Sequence, residues 1–361
     1  MADKKSKNQK KVRVGVIGVG FIGRVHLESL SRVPEAKVVA IADIEPVRLA
    51  EQAEIFGIKD TYADYKEMLA RPDIDAVTVC LPNDMHAPAT IDALKAGKHV
   101  LCEKPLATST AEALAMTEAA KAANRALMVA FSHRRRGDVK WLKQAIEDGM
   151  LGDLYFGKAM WLRRAGIPFW GEWFTKKEHS GGGPLIDLGV HMLDMALYLM
   201  GEPRVVSVNA TLFSEFGPRG KGYAGPLPPD ARYDVEDLAS LYLRLEGGKA
   251  LTLEASWAGF SKQGDSFGVS LFGDTGGAEL FVDFYAENDT LRLFTEMGGV
   301  PSEVRPAPVP QHGHTQVMEE FVAVIHSGDW ANVTGQDGLN RARIIEAAYR
   351  SAKEGREVTI E

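Results

Sequence analysis

Three features of this 361-residue chain predict an α/β fold in two domains. Up to about residue 131, short β-branched runs alternate with segments of helical period, which is typical of βαβ units on a parallel sheet. Further along, many strand-like runs are joined by Gly-containing turns, which indicates a second domain with a large, mostly antiparallel open sheet. A single core rarely grows beyond ~250–300 residues, so the length favours two domains.

The first domain is predicted over residues 11–133. The basic segment 1–10 has no apolar stretch after it, so we predict a disordered terminus rather than a secretory signal. The predicted strands are Val12–Ile17, Lys37–Ala42, Ala76–Cys80, His99–Cys102 and Leu127–Phe131. Helices are predicted near 21–32, 46–56, 64–70, 86–96 and 109–123.

The second domain is predicted over residues 134–361 and opens with a helix near 136–148. Its predicted strands are Leu154–Trp161, Val205–Leu212, Leu238–Leu245, Ala250–Trp257, Phe267–Phe272, Ala278–Val282 and Leu291–Phe294. Helices are predicted near 190–200, 315–327 and 336–354, and we expect the last one to pack near the first domain. The Gly- and Pro-rich segment 213–232 is predicted to be either a functional lid or a flexible excursion.

Composition excludes several classes of protein. The net charge of −7 and the lack of a long basic stripe in the folded part argue against a nucleic-acid binder. No segment approaches the ~18 consecutive apolar residues of a membrane span. Cys80 and Cys102 are the only cysteines, and both lie in apolar runs, so we predict core thiols without a disulfide or a structural metal. We therefore expect a cytoplasmic protein.

A Gly-x-Gly-x-x-Gly turn, residues 18–23, directly follows the first strand and opens a helix. Its glycines permit a tight turn and a close approach to a pyrophosphate, and the helix start supplies amide donors. Asp43 ends the second strand, where a carboxylate accepts hydrogen bonds from the adenosine ribose. These residues predict a Rossmann dinucleotide-binding domain. The predicted contacts are Gly18, Gly20, Phe21, Ile22, Gly23, Asp43 and Arg48.

The end of the second strand favours NAD over NADP. Asp43 repels a ribose 2′-phosphate, and Ile44 follows it instead of a Ser, Lys or Arg. Arg48 is near enough along the chain to soften this preference. NAD is therefore the expected cofactor.

Two further motifs give the chain a recognisable family pattern. Glu103-Lys104-Pro105 follows a strand of the first domain, and the segment 181–194, which contains Asp187 and His191, opens a later helix. With these motifs the chain resembles the Gfo/Idh/MocA family of glucose-fructose oxidoreductases and inositol dehydrogenases over nearly its whole length. The resemblance implies that Lys104, Asp187 and His191 are catalytic. It also implies that the second domain binds substrate and forms homodimers or homotetramers through its open sheet.

The resemblance assigns more residues to the two ligands. The implied cofactor contacts are Leu81, Pro82, Asn83, His86, Glu103, Lys104 and Trp173. The implied substrate contacts are Lys104, Arg134, Arg163, Trp170, Asp187 and His191. Aromatic and polar side chains of the segment 163–174 suit the apolar face and hydroxyl edge of a sugar, with core or dimer packing as the alternative. Phe174 stands where many relatives carry an Arg, which is a departure from the pattern.

The predicted reaction is hydride transfer between NAD and a secondary hydroxyl of a sugar, glycoside or cyclitol. On a helix, Asp187 and His191 share one face because they are four residues apart. An imidazole exchanges protons near neutral pH, so His191 is the candidate base. Lys104 would donate a hydrogen bond to the reacting oxygen, and Asp187 would orient the substrate.

Two other functions stay open. One is an enzyme that retains NAD, oxidises a glycoside transiently and cleaves or isomerises it. The other is a non-catalytic dinucleotide-binding regulator, although the intact set of Lys104, Asp187 and His191 argues against it. A metal at Asp187 and His191 is not expected, because no third ligand is evident.

Overall fold

The computed structural model describes residues 10–168, 171–222, 231–262, 264–307 and 313–360. The chain divides into two compact units: the first runs to Ser132 and includes 314–339, and the second consists of 133–313 and 340–361. Residues 1–9 of the predicted disordered start, Trp170 and residues 223–230 of the Gly- and Pro-rich segment lie outside the described residues.

The first unit contains a six-stranded sheet in which all the pairings described are parallel. Its strands are β1 (Val12–Ile17), β2 (Ala36–Ala42), β3 (Thr61–Tyr62), β4 (Ala76–Val79), β5 (His99–Cys102) and β6 (Leu127–Val129). They lie in the order β3-β2-β1-β4-β5-β6. The first three strands are added towards one edge of the sheet and the next three towards the other, so the order of addition reverses beside β1. Ligands of such sheets bind at the carboxyl ends of the strands, at this reversal.

Helices cover this sheet and supply much of its core. They are α1 (Phe21–Ser31), α2 (Pro46–Phe56), α3 (Tyr65–Leu69), α4 (His86–Lys95), α5 (Thr110–Ala123) and α9 (Gly313–Ser327). Buried residues of α9, including Val317 and Phe321, belong to the same core cluster as Val14 of β1. The segment 314–339, which the sequence analysis assigned to the second domain, therefore lies in the first unit.

The second unit contains a nine-stranded sheet. Its strands are β7 (Leu154–Arg163), β8 (Val205–Phe213), β9 (Leu238–Leu245), β10 (Ala250–Ser256), β11 (Asp265–Gly273), β12 (Gly277–Asp283), β13 (Leu291–Met297), β14 (Val300–Val304) and β15 (Val358–Thr359). They lie in the order β14-β13-β12-β11-β7-β10-β9-β8-β15. Among the described pairings only β7 with β10 is parallel, so the predicted mostly antiparallel sheet is confirmed.

Helices cover one face of this sheet. Successive side chains of a strand point to opposite faces, so every second residue lies on the helix-covered face. The remaining helices are α6 (Gly137–Glu147), α7 (Lys177–Ser180), α8 (Val190–Leu199) and α10 (Gln336–Glu354). Helix α8 packs on β7 and β11. Trp161 of β7 and Phe267 of β11 are buried on this face. Two residues along each strand, Arg163 and Asp265 lie on the same face.

Helix α10 matches its predicted bounds of 336–354 and divides between the units. In its first turn, Gly338 lies against Leu106 and Val129, where a Cβ would come within 2.7 Å of Leu106. From residue 340 onward the helix belongs to the second unit, where Arg341 bonds Asp194.

Candidate active site

The turn after β1 needs glycine at two positions for different reasons. Gly18 has a φ of +83°, and a Cβ there would lie 2.4 Å from the carbonyl oxygen of Cys80. At Gly23, a Cβ would lie 2.1 Å from the carbonyl oxygen of Gly18, so α1 packs tightly on the turn. A Cβ at Gly20 would meet nothing within 4 Å, which leaves open space before the first amides of α1. The turn therefore fits the pyrophosphate of a dinucleotide.

Asp43 closes this turn from the end of β2. One carboxylate oxygen accepts from the amide of Val19 at 2.8 Å, and the other accepts from the amide of Glu45 at 2.9 Å. Arg48 donates to both oxygens, at 3.1 and 2.7 Å. Burial opposes ionisation, but the bonds from Arg48 and the two amides outweigh it and lower the pKa of Asp43. The carboxylate is therefore ionised where the adenosine ribose is expected, which fits NAD.

Lys104 follows a buried polar network at the end of β5. Glu103 accepts from the Lys104 amide at 3.1 Å, and its other oxygen lies 2.8 Å from Nε2 of His26. The second ring nitrogen of His26 lies 3.2 Å from Sγ of Cys80. Burial disfavours the imidazolium, but Cys80 and Glu103 outweigh it and raise the pKa of His26 to about 10. The peptide bond between Lys104 and Pro105 is cis.

His86, a predicted cofactor contact, lies inside the first unit. Its ring nitrogens are 2.7 Å from the carbonyl oxygen of Pro105 and 2.9 Å from that of Leu81. Burial lowers the pKa of His86, so a neutral ring donates to one of the two carbonyls at a time. His86 thus joins the loop after β4 to the loop after β5, and the nearby Asn83 is also buried. Cofactor contacts of both stay predictions.

Asp187 lies in a single π-helical turn, Leu185–Gly189, that leads directly into α8. Such turns are rare and often mark functional sites. Nε1 of Trp257, the residue after β10, donates to Asp187 Oδ2 at 2.9 Å. This bond fixes the carboxylate from the sheet side.

His191 lies in the first turn of α8 and is buried among rings. Its ring centroid is 4.6 Å from that of His133 and 5.7 Å from that of Trp161. His133 in turn contacts Trp161 and Phe267 edge to face. Asp187 and His191 were predicted site residues. These ring neighbours were not, and they come from β7, β11 and the segment before α6.

Arg163 ends β7 and bonds two residues from separate strand ends. Its Nε donates to Asp265 Oδ2 at 3.0 Å, and its Nη2 donates to the hydroxyl of Tyr285 at 3.1 Å. Burial alone would lower the pKa of Arg163, but the charges of Asp265 and Asp187 outweigh it and raise the pKa. Arg163 is therefore a fixed cation in the same unit as Asp187 and His191.

Arg134 has a structural partner. It makes a two-pronged ion pair with Asp194, and its guanidinium lies 5.4 Å from the ring centre of Tyr198. Arg341 donates to the same carboxylate at 3.2 Å. Because Arg134 is 7% exposed and Asp194 is 1% exposed, this is a buried charge network. A substrate contact of Arg134 stays a prediction.

The predicted aromatic segment is only partly described. The rings of Trp173 and Phe174 stack with centroids 3.8 Å apart, and Phe174 lies edge-on to Trp257. Trp170 falls outside the described residues. In the described parts of the chain, no three His, Cys, Asp or Glu residues are placed to hold a metal ion. Cys80 and Cys102 are free and buried, as predicted.

The sequence did not mark Trp257, Asp265 and Tyr285 as site residues. The alternation of side chains along β7 and β11 is one sequence signal that indicates Asp265, because it places Arg163 and Asp265 on the same face of the sheet. No local signal identifies Tyr285, which lies 122 residues from its partner Arg163.

Comparison with known proteins identifies the family. The model of the NAD-binding Rossmann domain of the Gfo/Idh/MocA oxidoreductases matches residues 12–131, and the model of their C-terminal alpha/beta domain matches residues 143–360. The chain belongs to the Gfo/Idh/MocA oxidoreductase family. The predicted resemblance, the two-part α/β fold and the NAD cofactor of this oxidoreductase are thereby confirmed.

Individual relatives match over almost their full lengths. The chain is 33% identical to D-glucoside 3-dehydrogenase of Escherichia coli K12, covering 99% of this chain and all of that protein. It is 31% identical to myo-inositol 2-dehydrogenase of Thermotoga maritima, over 97% and 99% of the two chains. The solved structure of a levoglucosan dehydrogenase complex with NADH superposes with a TM-score of 0.87 at 28% identity, covering 98% and 100%. No helix in the described ranges is long and apolar enough to cross a membrane.

Proposed function

We propose that this family member uses NAD to oxidise a secondary hydroxyl of a sugar, glycoside or cyclitol, or reduces the corresponding ketone. Relatives named for a glucoside, for myo-inositol and for levoglucosan support this substrate class, because each match spans nearly the whole chain. All three named substrates are ring compounds that carry several hydroxyl groups.

The observation that carries the proposal is the start of α8. The π-helical turn holds Asp187, the following turn holds His191, and each side chain is fixed by an aromatic neighbour. A carboxylate and an imidazole on consecutive turns can orient a hydroxyl and accept its proton.

The chain's own residues have separate roles in this proposal. His191 accepts the proton of the reacting hydroxyl, and Asp187 orients that hydroxyl. Lys104 donates a hydrogen bond to the same oxygen and stabilises its alkoxide character. Gly18, Gly20 and Asp43 hold NAD, which when bound supplies the hydride acceptor.

The proposed protein is a cytoplasmic homo-oligomer that associates through the open face of the nine-stranded sheet. Reduced, buried cysteines are typical of cytosolic proteins. Aromatic residues on the open face of the described strands include Phe213, Tyr242, Phe272 and Phe294, each at least one-third exposed. Their exposure would fall on association. Light scattering of the purified chain measures the mass directly.

A substrate screen tests the proposed reaction. Purified protein is mixed with NAD or NADP and a panel of aldoses, cyclitols and glycosides, and reduced nicotinamide and released aglycone are followed separately. We expect net reduction of NAD by at least one compound. Aglycone release without net NADH would favour the NAD-retaining enzyme, and NAD binding without any turnover would favour the regulator.

Replacing Lys104 tests the proposed mechanism. In Lys104→Ala we expect turnover to fall by about 10²–10³-fold, because a positioned hydrogen-bond donor to the reacting oxygen is lost. NAD affinity, measured by NADH fluorescence, should stay near the wild-type value. Lys95→Ala, at an exposed lysine of the same unit, is the control and should keep full activity. Wild-type turnover in Lys104→Ala would remove Lys104 from the catalytic set.

A further inference from the structure

Three polar residues from different strands meet at one end of the nine-stranded sheet. Arg163 ends β7 and is paired in register with Asp265, the first residue of β11. Tyr285 lies two residues after the end of β12, the strand next to β11. The sheet therefore brings a guanidinium, a carboxylate and a phenol together from distant parts of the chain.

Hydrogen bonds fix these side chains. The carboxylate of Asp265 accepts from Arg163 at 3.0 Å and from Nε1 of Trp161 at 2.7 Å. Arg163 donates to the hydroxyl of Tyr285 at 3.1 Å. The Trp161 ring lies 5.7 Å from the ring of His191, and the charge of Asp187 acts on Arg163. The cluster thus adjoins the proposed proton-handling residues of the second unit.

The Arg163–Asp265 pair has hydrogen-bonding capacity beyond these contacts. A guanidinium carries five N–H donors and a carboxylate offers about four acceptor positions. The charge of Arg163 is already balanced by Asp265, so the pair presents one donor edge and one acceptor edge without net charge. This pattern matches two neighbouring hydroxyl groups, each of which can donate and accept, better than it matches a phosphate or carboxylate.

Tyr285 lies in a strained turn. Phe284 and Tyr285 have φ values of +45° and +57°, a region that bulky residues rarely adopt. Gly264 leaves room for the turn, because a Cβ there would lie 1.9 Å from the Phe284 ring. Tyr285 nevertheless keeps 54% of its surface exposed. Strained backbone positions cluster at active sites and ligand clamps, so this turn is a candidate ligand contact.

We propose that Tyr285, Arg163 and Asp265 form a sugar-binding subsite in which the Tyr285 ring covers one face of an uncharged sugar ring and the Arg163–Asp265 pair binds two adjacent hydroxyl groups. The subsite rests on the proposed function and deepens it by naming the residues that select the ring. Carbon-bound hydrogens on a sugar face pack well on an aromatic ring, and the fixed ion pair then sets the rotation of the sugar in its plane.

Substitutions at Tyr285 separate binding from folding. Tyr285→Asn suits the positive φ, and the relief of strain offsets the lost ring contacts with Trp161 and Phe267. We therefore expect a melting temperature near the wild-type value together with about tenfold weaker sugar binding. Tyr285→Phe keeps the ring and loses the bond to Arg163, so its effect should be smaller, about two- to threefold. Tyr155→Ala is the control, because Tyr155 is 55% exposed at the opposite end of β7.

Binding is measured without turnover and then compared with turnover. Methyl β-D-glucopyranoside and myo-inositol are titrated by calorimetry into the NADH-loaded protein, where oxidation cannot proceed. KM for sugar, KM for NAD and kcat are measured separately with NAD. We expect Tyr285→Asn to raise the sugar Kd and KM, with the NAD KM within about twofold of wild type.

The possible outcomes separate the subsite from the reaction. Turnover by the wild type with an unchanged sugar Kd in Tyr285→Asn would overturn the subsite and leave the proposed function standing. Sugar binding that depends on Tyr285, but without any NAD reduction, would support the subsite and overturn the proposed function. Equally tight binding of glucose 6-phosphate would contradict recognition of an uncharged ring.

Discussion

The two units of this oxidoreductase form their candidate ligand sites by different physical means. In the first unit, the backbone makes the site: Gly18, Gly20 and Gly23 lie within six residues of one another, and their lack of side chains shapes the turn. In the second unit, side chains from distant parts of the chain form the candidate site, as in the bond between Asp187 and Trp257, 70 residues apart. The candidate cofactor site therefore depends on local backbone geometry, whereas the candidate substrate site depends on the register of the sheet.

The largest expected effect on function tests the backbone half of this comparison. Gly23→Ala places a Cβ 2.1 Å from the Gly18 carbonyl oxygen, so the turn must move. We expect NAD binding to be lost and the free energy of unfolding to fall by more than about 2 kcal/mol. Gly20→Ala is the matched control: its Cβ meets no protein atom within 4 Å, so the melting temperature should hold while NAD affinity falls. A Gly23→Ala protein with normal NAD binding would break the comparison.

The next effect tests the side-chain half. Asp194→Ala leaves the buried guanidinium groups of Arg134 and Arg341 without their shared carboxylate. Removing one partner of a buried pair costs about 3–5 kcal/mol, and urea unfolding should measure that loss. Glu202→Gln is the control, because this residue bonds Arg341 from a position 42% exposed and should cost less than about 1 kcal/mol. Equal effects of the two substitutions would show that burial does not decide the outcome.

The smallest effect concerns the buried network of His26, Cys80 and Glu103 in the first unit. It sharpens the comparison because Cys80 lies directly against Gly18 and Gly23 of the turn. His26 has a pKa of about 10, above the ordinary value of about 6.5 for histidine. A raised folded-state pKa stabilises the fold fully below pH ~6.5, and this contribution is lost as the pH rises towards 10.

His26→Gln keeps a donor for Glu103 but cannot titrate. Between pH 6.5 and pH 9.5, we expect wild-type stability to fall by at least about 1 kcal/mol more than that of His26→Gln. Urea unfolding of both proteins at the two pH values measures the difference. Parallel pH profiles of the two proteins would argue against a protonated His26.

Much of the fold could be predicted from the sequence, and so could part of the candidate site. The periods of 2 and 3.6 residues reveal the strands and helices, and the predicted bounds of α10 match the structure. The turn at 18–23 and Asp43 could be recognised in the sequence, because the spacing of these residues along the chain largely determines their arrangement in space. The π-helical turn before α8 has no such signal, because the hydrogen bonds of a π turn leave no distinct residue period.

The unpredicted residues share one physical cause. Trp257, Asp265 and Tyr285 reach their partners only because β7, β10, β11 and β12 pair in a particular order. That order depends on tertiary packing, and no local sequence pattern indicates it. Likewise, α9 has an ordinary amphipathic pattern, and only the core it joins shows which unit it belongs to.

The most direct test of the proposed function follows the transferred hydrogen. A sugar that the enzyme oxidises is prepared with deuterium at one secondary carbinol carbon at a time, and the reduced cofactor is examined by mass spectrometry. We predict deuterium in NADH from one carbon only and a slowed turnover for that substrate alone. In Lys104→Ala the same carbon should supply the deuterium at a strongly reduced rate. Oxidation of the sugar without any deuterium in the nicotinamide would contradict hydride transfer to NAD.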